Sequence, residues 1–333
     1  MQKYKVLVLT DHSGHSDQNS IYAILNEMLL HEKCESIDIV SRGIEMNDSF
    51  FKDQDSSKIF GTRLDNNFKY TTNGFYYKEN LKSLTLDDFD LVFMRLPRPI
   101  SDQWLKWLSH IAANAVIMNN PLGIIKTSNK KYMLNFPDLC QSMKFCNSRN
   151  DVLEVVQKYP VVLKPLKEYG GKGIVKINGD KVDIGDKEIS VESYLNSIEE
   201  ALISDGYLAM KYLKNVAKGD KRILVVGGQI MASSLRIPAE GSWLCNVSQG
   251  GQSVKSEVTK EEELIVKRLT PSLMEEGIVM FGVDTLEDDN GERILSEINT
   301  LSIGGFPQAQ KQSGRPIIKM TLDKIFDYAD GRK

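Results

Sequence analysis

The chain of 333 residues has no apolar run approaching the roughly 20 residues that span a bilayer, so no membrane partner is expected. Its four cysteines, Cys34, Cys140, Cys146 and Cys245, show no pairing pattern and no C-x-x-C, which points to reduced thiols and a cytoplasmic location. A large charge of one sign is also missing. The net charge of −3 supplies no general attraction to nucleic acid or an anionic membrane, and neither partner is expected. The opening Met-Gln-Lys-Tyr-Lys-Val-Leu-Val-Leu-Thr lacks the apolar core and small-residue cleavage site of a signal peptide, and is read as a start followed by a strand. G-x-S-x-G and H-E-x-x-H are absent, and no cysteine has the surroundings of a nucleophile. What is present is an ordinary globular composition, 41% hydrophobic and 26% charged, over a length that suits two or three structural units.

Patterning divides the chain. An apolar strand at residues 4–10, a helix over 19–30 and strands at Ile37–Val40, Leu91–Met94 and Ala115–Met118, with a helix over 101–113, predict a small parallel α/β domain ending near Pro121. Residues 44–88 between them are polar and irregular, with a hairpin signal at Asn73-Gly74 between two aromatic triplets. Two helical stretches are expected from Asn129 to Tyr159, then strands at Val161–Pro165 and Gly173–Ile177 around a glycine-rich turn, and a charged turn over Asn178–Lys187. Strands follow at 207–213, 221–227 and 229–237, then a long polar loop over 238–253, a length common in lids and binding loops. An amphipathic helix over 259–276, a hairpin, a Gly304-Gly305 loop and a helix near 316–329 complete the pattern.

The hairpin carries the sharpest chemical signal. Asn290-Gly291 suits a two-residue type I′ turn, whose central residues both need positive φ. That loop sets Asp284 opposite Glu297, with Asn299 two residues on and on the same face. Two opposed carboxylates about 5 Å apart repel by about 3 kcal/mol at an effective dielectric near 20, which calls for a cation beside Val283 and Ile298. Two carboxylates and an amide oxygen suit a hard ion such as Mg²⁺. The alternative is a solvated polar face on an exposed hairpin.

Lys164-Pro-Leu-Lys-Glu-Tyr-Gly-Gly-Lys-Gly173 is the second constellation. Its glycines let backbone N–H groups approach an anion. It is neither a Walker loop, since a strand follows it, nor a G-x-G-x-x-G fingerprint. Strand alternation puts Lys164 opposite Val161 and Leu163, where it can serve as a point charge for phosphate or simply face solvent. Lys211-Tyr-Leu213 begins a crossing between strands that can offer backbone groups to an adenine edge or simply be plain structure. Arg222 and Arg236 lie on adjacent strands and suit oxyanion stabilisation or surface ion pairing. His12 and His15 have no third metal ligand and are read as polar loop residues.

In their order along the chain these parts resemble the ATP-grasp fold, and within it the bacterial glutathione synthetases. The matching stretches are Asn119–Pro121 with Asn129-Lys130, Val162-Leu-Lys-Pro-Leu with Gly170-Gly171, Gly219-Asp-Lys-Arg-Ile-Leu-Val-Val226, Arg236-Ile-Pro238, Gly282-Val-Asp284 and Glu297-Ile-Asn299. They cover about residues 115 to 300. Asp11, Ser20 and Met94-Arg95 extend the likeness faintly into the N-terminal part.

The resemblance implies an N-terminal α/β substrate-binding domain over 1–120. A central lid subdomain would occupy 121–205 and an antiparallel C-terminal subdomain with the metal 206–333. It implies that Lys130 and Lys164 contact ATP phosphates, that Gly170, Gly171, Lys172 and Gly173 cover them, and that Met210, Lys211, Tyr212 and Leu213 hold adenine, with Asp220 beside the nucleotide. Arg222 and Arg236 would stabilise the transferring phosphoryl group, and Asp284, Glu297 and Asn299 would hold Mg²⁺ or Mn²⁺. The implied reaction phosphorylates a carboxylate and lets an amine displace the phosphate, without an enzyme nucleophile. Small-molecule or short-peptide substrates and a homo-oligomer are expected.

Three departures fall on the substrate side. The family has an arginine where this chain has Leu244, a charged pair where it has Leu96-Pro97 followed by Arg98, and a different run where it has Thr300-Leu-Ser-Ile-Gly-Gly-Phe306. A ligase with another acid or amine, and an ATP-binding module without catalysis, are the alternative readings.

Overall fold

Apolar runs of strand period build the N-terminal sheet. Tyr4–Thr10 (β1) pairs in parallel with Cys34–Ser41 (β2) and Leu91–Arg95 (β5), and β5 pairs in parallel with Val116–Met118 (β6). The region read as irregular adds Ile59–Arg63 (β3) and Lys82–Leu84 (β4), both antiparallel. The order is β4-β3-β2-β1-β5-β6, so this sheet is mixed rather than purely parallel. The computed structural model describes residues 2–166, 168, 171–185, 187–239, 245 and 252–332.

The second sheet is antiparallel throughout. It comprises Met143–Cys146 (β7), Val161–Pro165 (β8), Val175–Asn178 (β9), Lys181–Asp183 (β10), Glu188–Ser190 (β11) and Tyr207–Lys211 (β12), in the order β11-β10-β9-β8-β12-β7. Its own apolar core includes Val161, Leu163, Ile177, Leu195 and Ala209. The third sheet is also antiparallel: Asp220–Val226 (β13), Gln229–Ile237 (β14), Gln252–Lys255 (β15), Met280–Glu287 (β16) and Arg293–Asn299 (β17), in the order β15-β14-β13-β16-β17. The helix Lys260–Glu275 leads into β16. It opens on a reciprocal capping box between Thr259 and Glu262. The helix Ile317–Asp330 and the shorter Phe306–Ser313 share a core with β1, β2 and the helix Ser20–Leu29.

Several expectations are corrected. Asn73-Gly74 makes no hairpin: Gly74, at φ 66°, starts the one-turn helix Phe75–Lys78 and lies so close to His12 that a Cβ would meet its ring at 2.5 Å. The flanking Phe68 and Tyr77 are buried in the core instead of pairing across strands. The 129–159 stretch holds two 3₁₀ turns, β7 and the helix Arg149–Val156, and the charged turn at 178–187 contains β10. Both added strands are three or four residues long, too short to show a period of two. The 238–253 loop lies largely outside the described residues.

Candidate active site

The Asp284–Glu297 hairpin keeps the expected pairing by a different route. Glu287 faces Arg293, Leu286 faces Ile294 and Thr285 faces Leu295. The register then shifts by one, so that Asp284 faces Glu297, Val283 faces Ile298 and Gly282 faces Asn299. The turn is therefore longer than Asn290-Gly291. The Asp288 carboxylate accepts from the N–H groups of Asn290 at 2.8 Å and Glu292 at 2.9 Å, and of the two central residues Gly291 alone has positive φ. The residue gained at the turn is matched by a bulge at Ser296. Bulges bend a strand and re-aim its groups. Here the Ser296 carbonyl accepts from Lys164 Nζ at 3.4 Å.

Around this bulge the second and third sheets face each other across a cleft lined by Lys164, Lys211, Leu213, Asp220, Asp284 and Glu297. Lys130, at the start of a 3₁₀ turn, is buried and lies 3.8 Å from Glu297 Oε1, and it also donates to the Glu168 carbonyl. Burial holds its ammonium below the usual lysine range, against the opposing pull of Glu297. The structure thus brings both sequence-predicted lysines to the acidic end.

The two arginines meet the carboxylates directly. Arg222 and Asp284 form a two-pronged pair, with Nη2 donating to Oδ2 at 2.7 Å. Arg236 donates to both oxygens of Asp220 at 2.7 and 2.6 Å, and its Nη2 also reaches Asp284 Oδ2 at 2.8 Å. Burial alone would raise the Asp284 carboxyl. Arg222 and Arg236 outweigh that and bring it to about 2. Asp220, half-buried beside Asp284, is pushed the other way by its loss of solvent. The electrostatic argument that opposed carboxylates demand a metal is corrected here: Arg222, Arg236 and Lys130 already supply positive charge.

The donor chemistry still fits a hard cation. Asn299 Nδ2 donates to Asp284 Oδ2 at 3.3 Å and Glu297 stands opposite Asp284, so two carboxylates and an amide, oxygen-bearing groups of the kind a hard cation takes, meet at one end of the cleft. Among the described residues no group of three or more His, Cys, Asp or Glu side chains is placed to hold a metal ion.

At the other end, Met210 is buried in β12. The N–H groups of Lys211 and Tyr212 are engaged by the carbonyls of Ser142 at 2.9 Å and Pro160 at 2.8 Å. Lys176 Nζ sits over the Tyr212 ring at 3.8 Å. Of the glycine loop, Gly171 at φ 81° and Gly173 at φ 67° take the left-handed backbone that favours glycine, and Lys172 is exposed. Gly170 and Leu244 lie outside the described residues.

A second cleft, of about 500 Å³, opens between the C-terminal ends of β1, β2 and β5 and the Ser302–Gly305 loop. Ligands of open α/β sheets commonly bind at such strand ends. It is lined by Asp11, His15, Arg42, Arg95, Arg98 and Gly305, among others. Asp11 is engaged by Arg42 at 2.8 Å. Arg95 is buried, donates Nη2 to the Ile303 carbonyl at 2.7 Å, and leaves Nε without a partner among the described residues. Burial brings its guanidinium down to about 10. Arg42 is absent from the sequence-derived candidates. Its place one residue past β2 is the signal that marks it.

Residues 129–314 match the family model for the prokaryotic glutathione synthetase ATP-grasp domain. A glutathione synthetase of Mesorhizobium japonicum is 27% identical over 257 residues, covering 76% of this chain and 78% of that protein. One from Neisseria meningitidis serogroup B is 28% identical over 246 residues, covering 72% and 73%. Among solved structures, D-cycloserine synthetase aligns with a TM-score of 0.67 at 10% identity, covering 99% of this chain and 100% of that one. The ATP complex of D-alanine–D-alanine ligase from Bacillus anthracis aligns with a TM-score of 0.60 at 15% identity, covering 99% and 100%. At such identities these two likenesses carry the fold.

Proposed function

Because this chain belongs to the prokaryotic glutathione synthetase ATP-grasp family, and so is an ATP-dependent carboxylate–amine ligase, we propose that it joins γ-glutamylcysteine to glycine. The observation that supports the reading is the meeting of Lys130, Lys164, Arg222, Arg236, Asp284 and Glu297 around one cleft between two antiparallel sheets.

In this reading Lys130 and Lys164 bind and orient the phosphates of ATP, with Gly170, Gly171, Lys172 and Gly173 over them. Adenine lies against Met210–Leu213, near Asp220. Because the Lys211 and Tyr212 N–H groups are engaged, the adenine edge is met by the remaining backbone groups and by side chains. Asp284, Glu297 and Asn299 would hold Mg²⁺ or Mn²⁺. When bound, the ion would neutralise charge between the phosphates and place the γ-phosphoryl group in line. Arg222 and Arg236, each bonded to carboxylate through Nε and Nη2, lend their charge and remaining N–H groups to charge developing on the phosphoryl oxygens and, in the second step, on the tetrahedral centre. The acid's carboxylate oxygen attacks the γ-phosphorus, ADP leaves, and the amine nitrogen then attacks the acyl carbon and expels phosphate. No side chain needs to form a bond to substrate.

The second cleft is suited to the acid, since Arg42, Arg95 and Arg98 outnumber the one carboxylate of Asp11 there. The departures at Leu96-Pro97 and along the Thr300–Phe306 run support the second reading, a ligase of the same mechanism with a different acid or amine. Mass spectrometry of products formed from ATP, Mg²⁺ and pooled acids and amines separates the two. Glutathione as the product, with ATP hydrolysis dependent on γ-glutamylcysteine and glycine, is expected. Product from other pairs alone overturns the first reading.

A further inference from the structure

The hairpin whose base carries Asp284 and Glu297 reaches the opposite end of the ATP cleft with its tip. Asp289 Oδ2 accepts from Lys211 Nζ at 2.7 Å, and Asp289 Oδ1 accepts from the backbone N–H of Lys214 at 2.9 Å. The Asp288 carbonyl accepts from Asn215 Nδ2 at 2.5 Å. Glu287 pairs with Lys218, and Arg293 Nη1 donates to the Gly219 carbonyl at 3.2 Å. The segment held in this way joins β12 to β13 through the 3₁₀ turn Lys214–Lys218. Such a turn has poor hydrogen-bond geometry and little stiffness of its own. Its position is set largely from outside, by the strand pair that also carries Asp284, Glu297 and Asn299.

We propose that Asp289 is a positioning residue for the nucleotide: by bonding Lys211 and Lys214 at once it fixes the Lys211–Leu213 segment against the hairpin and gauges its distance from Asp284 and Glu297. This rests on the reading of Lys211–Leu213 as the adenine seat. The three residue steps from Asp284 to the end of β16 at Glu287 span roughly 10 Å of extended chain, and the turn that follows carries Asp289 to Lys211. The two oxygens do separate work. One meets an ammonium and the other a backbone N–H, so an amide in place of the carboxylate keeps a single acceptor and loses the charge. The mutual bond holds the Asp289 carboxyl below its ordinary range and the Lys211 ammonium above its own.

The test is equilibrium binding of ADP and of GDP, each with Mg²⁺, to the full chain and to Asp289→Ala, Asp289→Asn and Lys164→Met. Loss of a bond to a charged group corresponds to about a tenfold weaker affinity. Asp289→Ala is expected to weaken ADP by about that factor while weakening GDP much less, so that the preference between bases narrows. Asp289→Asn should fall between Ala and the parent, and because it conserves volume it decides the matter where Asp289→Ala does not fold. A merely structural role would lower the melting temperature and leave the ADP-to-GDP ratio alone, which overturns the proposal. If Lys164→Met weakens ADP while both Asp289 variants bind as the parent does, the positioning role alone is lost. If Lys164→Met also leaves ADP unchanged, the reading of the cleft as the nucleotide site is lost, and this inference with it.

Discussion

Glu297 stands directly opposite Asp284, yet the strand pairing on the two sides of that pair differs by one residue. The bulge that absorbs the difference, at Ser296, turns a carbonyl to Lys164. Register and the position of Lys164 are therefore tied to one irregularity. Replacing Glu297 by Gln keeps the shape and the strand pairing but removes an anionic oxygen. Turnover is expected to fall by about a hundredfold or more, since even the outer partners of a metal site cost about 10–100-fold. Lys130 keeps its bond to the Glu168 carbonyl, so the unfolding midpoint should move little. Steady-state kinetics across a Mg²⁺ titration check this, and unchanged turnover removes Glu297 from the metal site.

Arg236 is the sole guanidinium bonded to both Asp220 and Asp284 among the described residues. Arg236→Met strands the Asp220 carboxylate and leaves Asp284 to Arg222 alone, at a cost of about 3 kcal/mol by analogy with other broken buried pairs. Arg236→Lys keeps the charge but not the fork. It is expected to fold, with kcat lower by about a hundredfold for want of directed donors. Urea unfolding read beside kcat separates the two effects. Equal loss of stability in both variants would give Arg236 a structural role alone.

Much of this site was legible because its chemistry sits on long strands. Asp284, Glu297 and Asn299 could be placed on one face from alternation, and the expected pairing is present. The reason given for it was incomplete: a two-residue turn was assumed, while Asp288 stretches the turn and Ser296 restores the register. Neither change has a hydrophobic period to announce it. Asn73-Gly74 shows the limit of dipeptide signals. The same pair that borders the hairpin elsewhere here opens a helical turn, because Phe68 and Tyr77 gain more by burial than by cross-strand pairing. Lys181–Asp183 and Glu188–Ser190 carry too few apolar residues to reveal strands. The salt bridges of Arg222 and Arg236 depend on side chains from three strands and could not be read from spacing.

His15 yields a pH prediction. Burial, with a smaller contribution from His12, brings its imidazole from the ordinary 6.5 down to about 4. Tyr22, Tyr77, Asp11 and Arg95 are its other titratable or charged neighbours. Between those two values the unfolded chain binds a proton that the folded chain does not. Stability is thus fully present above pH 6.5 and is lost as pH falls towards 4. Urea unfolding at a series of pH values should show this decline, and His15→Gln should flatten it. An imidazole titrating near 6.5 by NMR would contradict the argument.

Asn119 makes the last prediction, because one amide joins two parts of the structure. Its Nδ2 donates to the carbonyls of Met280 at 2.6 Å and Thr300 at 2.8 Å, and its Oδ1 accepts from the N–H groups of Val279 and Met280, both at 2.9 Å. It follows β6 of the first sheet and grips the start of β16 and the residue after Asn299. Thr300 also receives the hydroxyl of Thr127 at 3.0 Å, which steadies the same point. Asn119→Ala leaves four buried bonds unmade. Each unsatisfied buried group costs about 1–3 kcal/mol, so a loss of at least about 3 kcal/mol is expected after relaxation. Asn119→Asp keeps the two acceptor bonds but sets a carboxylate against the two carbonyls. Its stability should therefore fall with rising pH as that carboxylate ionises. A loss below about 1 kcal/mol in Asn119→Ala, the net worth of a single bond, would show that these groups find other partners and that Asn119 does not hold the end of β17 in place.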